Sequence, residues 1–235
     1  MAVYLFVAVA AFVITRFQGV EIVGEYTHLA VAALFLVMGV SLAKGNLRHY
    51  GVALGGLIEP PTDDRPAGPL GLWDLGRAIV AASPSALREL GVAVLVAAVI
   101  FPIFAVGFYY WYEPIRAFHF TLPADFTALA LAQLLVVALP EEAFFRGFLQ
   151  TSLTDLESSR VRVLGVALAP KAWLLQAALF ALIHVVVEPY PSRLAVFFPA
   201  LLFGWLRQWR GGIGAAMALH AMSNLYSEIL SLSWL

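Results

Sequence analysis

Long apolar runs recur along most of the chain, separated by short polar stretches. They predict membrane-spanning helices over about 2–15, 27–43, 91–112, 127–150, 172–187, 194–208 and 213–232. The only long polar interval, about 45–90, contains "EPPTDDRPAGP", whose prolines and acids predict an exposed loop. "GLWDLGRAIVAA" follows it and reads as an interfacial helix with Trp73 at the headgroup level. "VRVLGVALAP", 161–170, is too short to span and reads as a re-entrant or interfacial piece, so the count is seven spans, or eight if it inserts.

Composition agrees with this pattern. The chain has 235 residues, 62% hydrophobic and 12% charged, whereas soluble domains carry about 25% charged residues. The expected fold class is all-α, a polytopic transmembrane helical bundle; the alternating ~10-residue segments of a β-barrel are absent. One bundle of this length implies a single integral membrane domain over 1–235. Its N-terminal half, 1–115, holds the loop, and its core lies at about 120–232. The first 17 residues lack the basic start of a signal peptide and are expected to stay as the first helix.

A net charge of −1 gives no basic face for nucleic acid. The absence of cysteine excludes disulfides, thiolate catalysis and Cys-ligated metals. The placement of basic residues is more informative. Lys44, Arg48, Arg65, Arg77, Arg88, Arg160, Arg162, Lys171, Arg207 and Arg210 fall on one side of a seven-span bundle, against Arg16, Arg116 and Arg193 on the other. The positive-inside rule then puts the N-terminus in the cytoplasm and the C-terminus outside.

Within the fourth run, "PEEAFFRGFLQ" places three full charges among apolar residues. Left unpaired near the bilayer centre, Glu141, Glu142 and Arg146 would cost roughly 8–10 kcal/mol. Glu142 and Arg146 are four apart, acid first, which is the favoured order for a helical pair. Glu141 lies about 100° round the helix from Glu142, so it is left without a local partner. Pro140 also removes a backbone donor there.

Two further polar sites lie in the apolar C-terminal half. "FALIH" places His184 one turn after Phe180, and "HAMSN" places His220 and Asn224 on one helix face. The economical way to satisfy an unpaired glutamate, two histidines and an asparagine on three spans is one hydrated cavity. A glutamate with a histidine can take a proton from water, and burial favours the glutamate as a base. A second histidine with an asparagine amide can donate to a developing oxyanion. Together they suit peptide hydrolysis without a covalent intermediate.

These residues resemble a family pattern. "EEAFFR" fits EExxxR, "FALIH" fits FxxxH and "HAMSN" fits HxxxN, in the order found in the CPBP family of CAAX-protease and bacteriocin-processing intramembrane endopeptidases. The resemblance covers roughly 120–232. It implies that Glu141 activates water with help from His184, that His220 and Asn224 form the oxyanion hole, and that Glu142 with Arg146 holds the site in register. It also implies a membrane-anchored protein or peptide as substrate, with the lipid bilayer as the other partner. Some bacterial members remove C-terminal sorting tags from surface proteins, the myxosortase-like arrangement, and the compact chain suits that role in a bacterial inner membrane.

Zinc is the cofactor to weigh, because Glu, His and His are acceptable ligands. There is no HExxH, however, and the histidines sit on different spans, so a metal-free site with no cofactor is expected. Rival readings are a non-catalytic immunity or scaffold protein and a proton-coupled transporter. A transporter would show internal symmetry that is absent here. A haem ligated by His184 and His220 would leave Glu141, Glu142 and Asn224 without a role. Gln133 and Gln176 read as helix-to-helix hydrogen bonds. Glu228 continues the His220–Asn224 face one turn further and reads as an interfacial residue, with a place facing the cavity as the alternative. Tyr109, Tyr110, Trp111 and Tyr112 read as an aromatic belt.

Overall fold

The computed structural model describes residues 1–20, 24–57 and 72–235. The acid- and proline-rich stretch at 59–69 and the Trp73 side chain lie outside the described residues. Helices α1 (Ala2–Thr15), α2 (Thr27–Leu42), α3 (Leu72–Tyr112) and α4 (Phe126–Asp155) are followed by a small hairpin, β1 (Val161–Val163) and β2 (Val166–Leu168). Then come α5 (Pro170–Val187), α6 (Phe197–Arg210) and α7 (Gly214–Trp234). The architecture is an all-α membrane bundle, as the apolar runs predicted.

By length and hydropathy, five of these helical stretches can cross a membrane: Ala2–Gly19, Gly24–Leu42, Asp74–Tyr112, Phe126–Asp155 and Pro170–Val187. The two other predicted spans also form helices. α6 has only 14 residues, and the apolar run of α7 is diluted by His220, Ser223, Asn224, Ser227 and Glu228.

Three expectations are corrected. The possible eighth span is an antiparallel hairpin with Val161 opposite Leu168 and Val163 opposite Val166. Its two-residue turn, Leu164–Gly165, has φ of 50° and 81°, which matches the twist of the flanking strands. The predicted interfacial helix does not stop before the third span. It is continuous with it, making α3 41 residues long. That is about 60 Å, about twice the hydrocarbon thickness. The polar loop therefore ends by residue 72 rather than 90. Finally, α4 runs to Asp155 instead of 150.

α4 is irregular in a way its sequence explains. Pro140 cannot donate a backbone hydrogen bond, and the turn before it, Gln133–Ala138, is π-helical. Such local adjustment is how membrane helices re-satisfy groups freed by proline. A second π-helical stretch, Ala143–Gln150, follows the two glutamates. π-helical turns inside α-helices concentrate at functional sites.

α2 packs directly on this segment. Gly39 lies so close to α4 that a Cβ would come within 2.8 Å of the Ala143 carbonyl carbon. Phe35 stacks on Phe144 at 5.6 Å and meets Phe145 edge-on at the same separation. Gln150 Nε2 donates to the Gly204 carbonyl of α6, and Gln176 Nε2 to that of Ala200. Gln176 is thus the helix-to-helix bridge expected of it. These contacts fix α4 at the centre of the bundle.

Candidate active site

Glu142 and Arg146 form the predicted i,i+4 pair. Arg146 Nη1 donates to Glu142 Oε1 at 2.8 Å, and both side chains are fully buried. Rings help to hold the guanidinium, which lies 4.1 Å from the Phe180 ring centre and 5.2 Å from that of Phe203. Cation–π attraction of this kind strengthens as water is removed. Phe180 therefore has a structural task besides setting the spacing to His184.

The pair is not self-contained. His220 Nδ1 also bonds Glu142 Oε1, at 2.9 Å. A carboxylate only accepts, so Nδ1 carries the proton and Nε2 faces away from Glu142. The imidazole is further fixed by stacking on Phe203, 5.0 Å between ring centres and 19° between planes. Nε2 then lies 3.9 Å from Glu141 Oε2. The sequence contained no local signal for this link, because α7 and α4 meet only in the folded chain.

Glu141 is the spare carboxylate that helical spacing predicted. Its side chain is 17% exposed, and Oε2 has no hydrogen-bond partner among the described residues. His184 Nδ1 donates to the Phe180 carbonyl at 2.7 Å, one turn back on α5. A carbonyl cannot donate, so the neutral ring presents a lone pair at Nε2. Asn224 Nδ2 donates one hydrogen to Gln133 Oε1 at 2.8 Å, which leaves a second amide hydrogen available. Gln133 is the interhelical bridge the sequence suggested, but its partner is a site residue.

All four side chains, Glu141, His184, His220 and Asn224, line one cavity of about 930 Å³, together with Gln133. Helix lengths explain why α4 and α5 meet there. Glu141 lies fourteen positions before Asp155, and His184 fourteen after Pro170. Both are thus roughly 20 Å from the same end of the bundle. With α4 ending at 150 the two would sit at different depths. Glu228 also lines the cavity, while remaining exposed at its rim. The cavity-facing alternative for Glu228 is thus the one the lining shows.

The donors have the chemistry for a metal, with a free carboxylate oxygen and two imidazole nitrogens. They do not converge: among the described residues no three His, Asp or Glu side chains are grouped closely enough to hold an ion. What the arrangement can do is acid–base chemistry. It places an unpaired carboxylate, two oriented imidazoles and a fixed amide around one cavity.

Residues 123–226 match the family model described as Type II CAAX prenyl endopeptidase Rce1-like. The match takes in every side chain of the cluster, from Gln133 to Asn224, and a little under half of the chain. No curated protein and no solved structure matches the sequence.

Proposed function

Since residues 123–226 belong to the Rce1-like family of CAAX-type endopeptidases, we propose that the chain is an intramembrane peptidase that cleaves near the membrane-anchored C-terminal segment of a protein. The observation that carries the reading is the unpartnered Glu141 carboxylate, 3.9 Å from an oriented His220 and facing the cavity that also holds His184 and Asn224.

The mechanism we propose runs from these positions. Glu141 takes a proton from water, with the Nε2 lone pair of His184 holding that water in place. The water oxygen attacks the scissile carbonyl carbon, and the carbonyl oxygen becomes an oxyanion. The second amide hydrogen of Asn224 donates to it. His220 donates from Nε2 in its doubly protonated form, with Glu142 holding the other proton. With His220 so charged, Glu141, Glu142, Arg146 and His220 sum to zero, which suits a buried cluster. Glu141 then passes its proton to the leaving nitrogen. The C–N bond breaks as the oxyanion re-forms the carbonyl, giving an amine and a carboxylic acid. The acid's remaining O–H proton passes to the Glu141 carboxylate and on to solvent, leaving a carboxylate. No step uses a metal.

Removal of C-terminal sorting tags from surface proteins in a bacterial inner membrane is the role we propose for this activity. Two experiments test the reading. Glu141→Ala in a correctly folded protein should abolish cleavage, and near-normal activity in that variant overturns the mechanism. Comparing the C-termini of membrane proteins with and without the active chain should reveal truncated species only in its presence.

A further inference from the structure

The cavity has a direction. Its deep end holds Phe180, Phe203 and His220, each 5% exposed or less. Its rim is formed by Glu188 and Arg193, an ion pair on the α5–α6 connection whose side chains are 47% and 44% exposed. Ile103 of α3 and Phe198 of α6 also line it, at 65% and 72% exposure. The mouth therefore lies at the bundle face that carries residues 188–196, and its flank is apolar. Towards the other face the site is closed by packed side chains. Arg146, Phe144 and Phe145 are fully buried there, and Gln150 is 1% exposed. A second cavity, of about 720 Å³, does reach in from that face, between α3 and the α6–α7 turn, but none of Glu141, His184, His220 or Asn224 lines it.

Contacts within each face show which connections share it. On the mouth face, Arg116 Nη1 donates to the Leu235 carbonyl and the His119 N–H to that of Ser233. On the opposite face, the Ile213 N–H donates to the Gly51 carbonyl, Arg207 Nη2 to that of His49, and Trp205 Nε1 to that of Val163. These contacts put the α3–α4 connection beside the C-terminus on one face, and the 49–51 segment beside the α6–α7 turn and the hairpin on the other. The α1–α2 connection is placed by the direction of α2, whose C-terminal end leads to that 49–51 segment. The opposite face carries Lys44, Arg48, Arg160, Arg162, Lys171 and Arg210, whereas the described mouth-face connections carry Arg16, Arg116 and Arg193. Acids lie on both faces, Glu25, Glu113, Asp125 and Glu188 on the mouth face and Glu89, Asp155 and Glu157 on the other, so the contrast is in the basic residues alone. Basic residues concentrate on the cytoplasmic side of membrane proteins.

We propose that the cavity opens on the extracytoplasmic face. Its substrates are then proteins whose anchored segment presents the scissile bond outside the cytoplasm, entering past the apolar flank at Ile103 and Phe198. The identity of the reaction rests on the peptidase reading above; the side of entry rests on charge and packing. A lipid-modified tail exposed only in the cytosol would face the packed side and not reach Glu141.

The chain has no cysteine, so single cysteines report position without background. Three full-length variants serve: Ser192→Cys on the mouth-face connection, Ser227→Cys in the cavity lining, and Ser158→Cys on the opposite face. Each is treated with a membrane-impermeant maleimide in right-side-out and in inverted membrane vesicles. Ser192→Cys and Ser227→Cys should label in right-side-out vesicles and be protected in inverted ones, with Ser158→Cys showing the reverse. The opposite pattern overturns the proposal, and so does a Ser227→Cys that labels from neither side. The readout needs no peptidase activity. A chain that labels as expected but cleaves nothing would refute the peptidase reading alone.

Discussion

Glu142 and His220, 78 positions apart in the chain, share a 2.9 Å hydrogen bond at a carboxylate that also neutralises Arg146. One buried acid thus serves a structural cation and orients a site imidazole. Breaking a buried pair by removing one partner typically costs 3–5 kcal/mol, whereas replacing both by apolar residues is often neutral. Glu142→Met should therefore lower thermal stability in detergent by about that amount, because Arg146 is left buried and uncompensated. The double variant Glu142→Met/Arg146→Met should recover most of the stability and remain slow in cleavage, since His220 has lost the acceptor for Nδ1. Recovery of activity along with stability would show that Glu142 acts on Arg146 alone.

Asn224 and Gln133 make a second prediction. With one amide hydrogen held by Gln133 at 2.8 Å, the other is fixed in direction. Losing an oxyanion donor costs about 10²–10³ in rate, so Asn224→Ala should lower kcat by that factor and leave KM nearly unchanged. Gln133→Leu should lower kcat by a smaller factor, and Gln133→Glu, which keeps the acceptor, should restore part of it. In an Asn224→Ala background Gln133→Leu should add nothing, because residues that act through one another are not additive. Steady-state kinetics of the four variants check this. Additive losses would make Gln133 a separate contributor.

Metal dependence gives a third. The mechanism routes no step through an ion, so cleavage should survive exhaustive chelation and not rise when zinc is restored. Measuring the rate after dialysis against a strong chelator decides it. A rate that collapses and returns with zinc would require Glu141, His184 and His220 to move together into a ligand set.

Much of this arrangement can be read from the sequence because charge is costly in a bilayer. Glu142 with Arg146 follows from helical spacing, and Glu141 emerges as the unpaired remainder. His184, His220 and Asn224 follow from the need of each polar group for a partner. The missing parts lie where local pattern and tertiary packing part company. Pro84 falls between the predicted interfacial helix and the predicted third span, yet α3 passes through it. "VRVLGVAL" alternates as a strand does, yet in so apolar a chain it is easily taken for a membrane segment. The His220–Glu142 bond crosses two helices and leaves no periodicity behind it.

The close approach of α2 to the site helix supports the last prediction. A Cβ on Gly39 would stand 2.8 Å from the Ala143 carbonyl carbon, 2.9 Å from its oxygen and 2.9 Å from the Phe144 nitrogen. All three are backbone atoms, so no side-chain rotation relieves the clash, and α2 or α4 must shift. Overpacking of this sort costs about 1–3 kcal/mol. Ala143 directly follows Glu142, and a misplacement of about 1 Å can cost about 10²-fold in rate. Gly39→Ala should therefore reduce kcat far more than its stability loss explains. Gly19→Ala, where the added carbon meets nothing within 4 Å, should leave both unchanged. Thermal unfolding and cleavage rates of the two variants make the comparison. If Gly39→Ala loses stability but keeps its kcat, α4 does not need α2 to hold Glu141 and Glu142 in position.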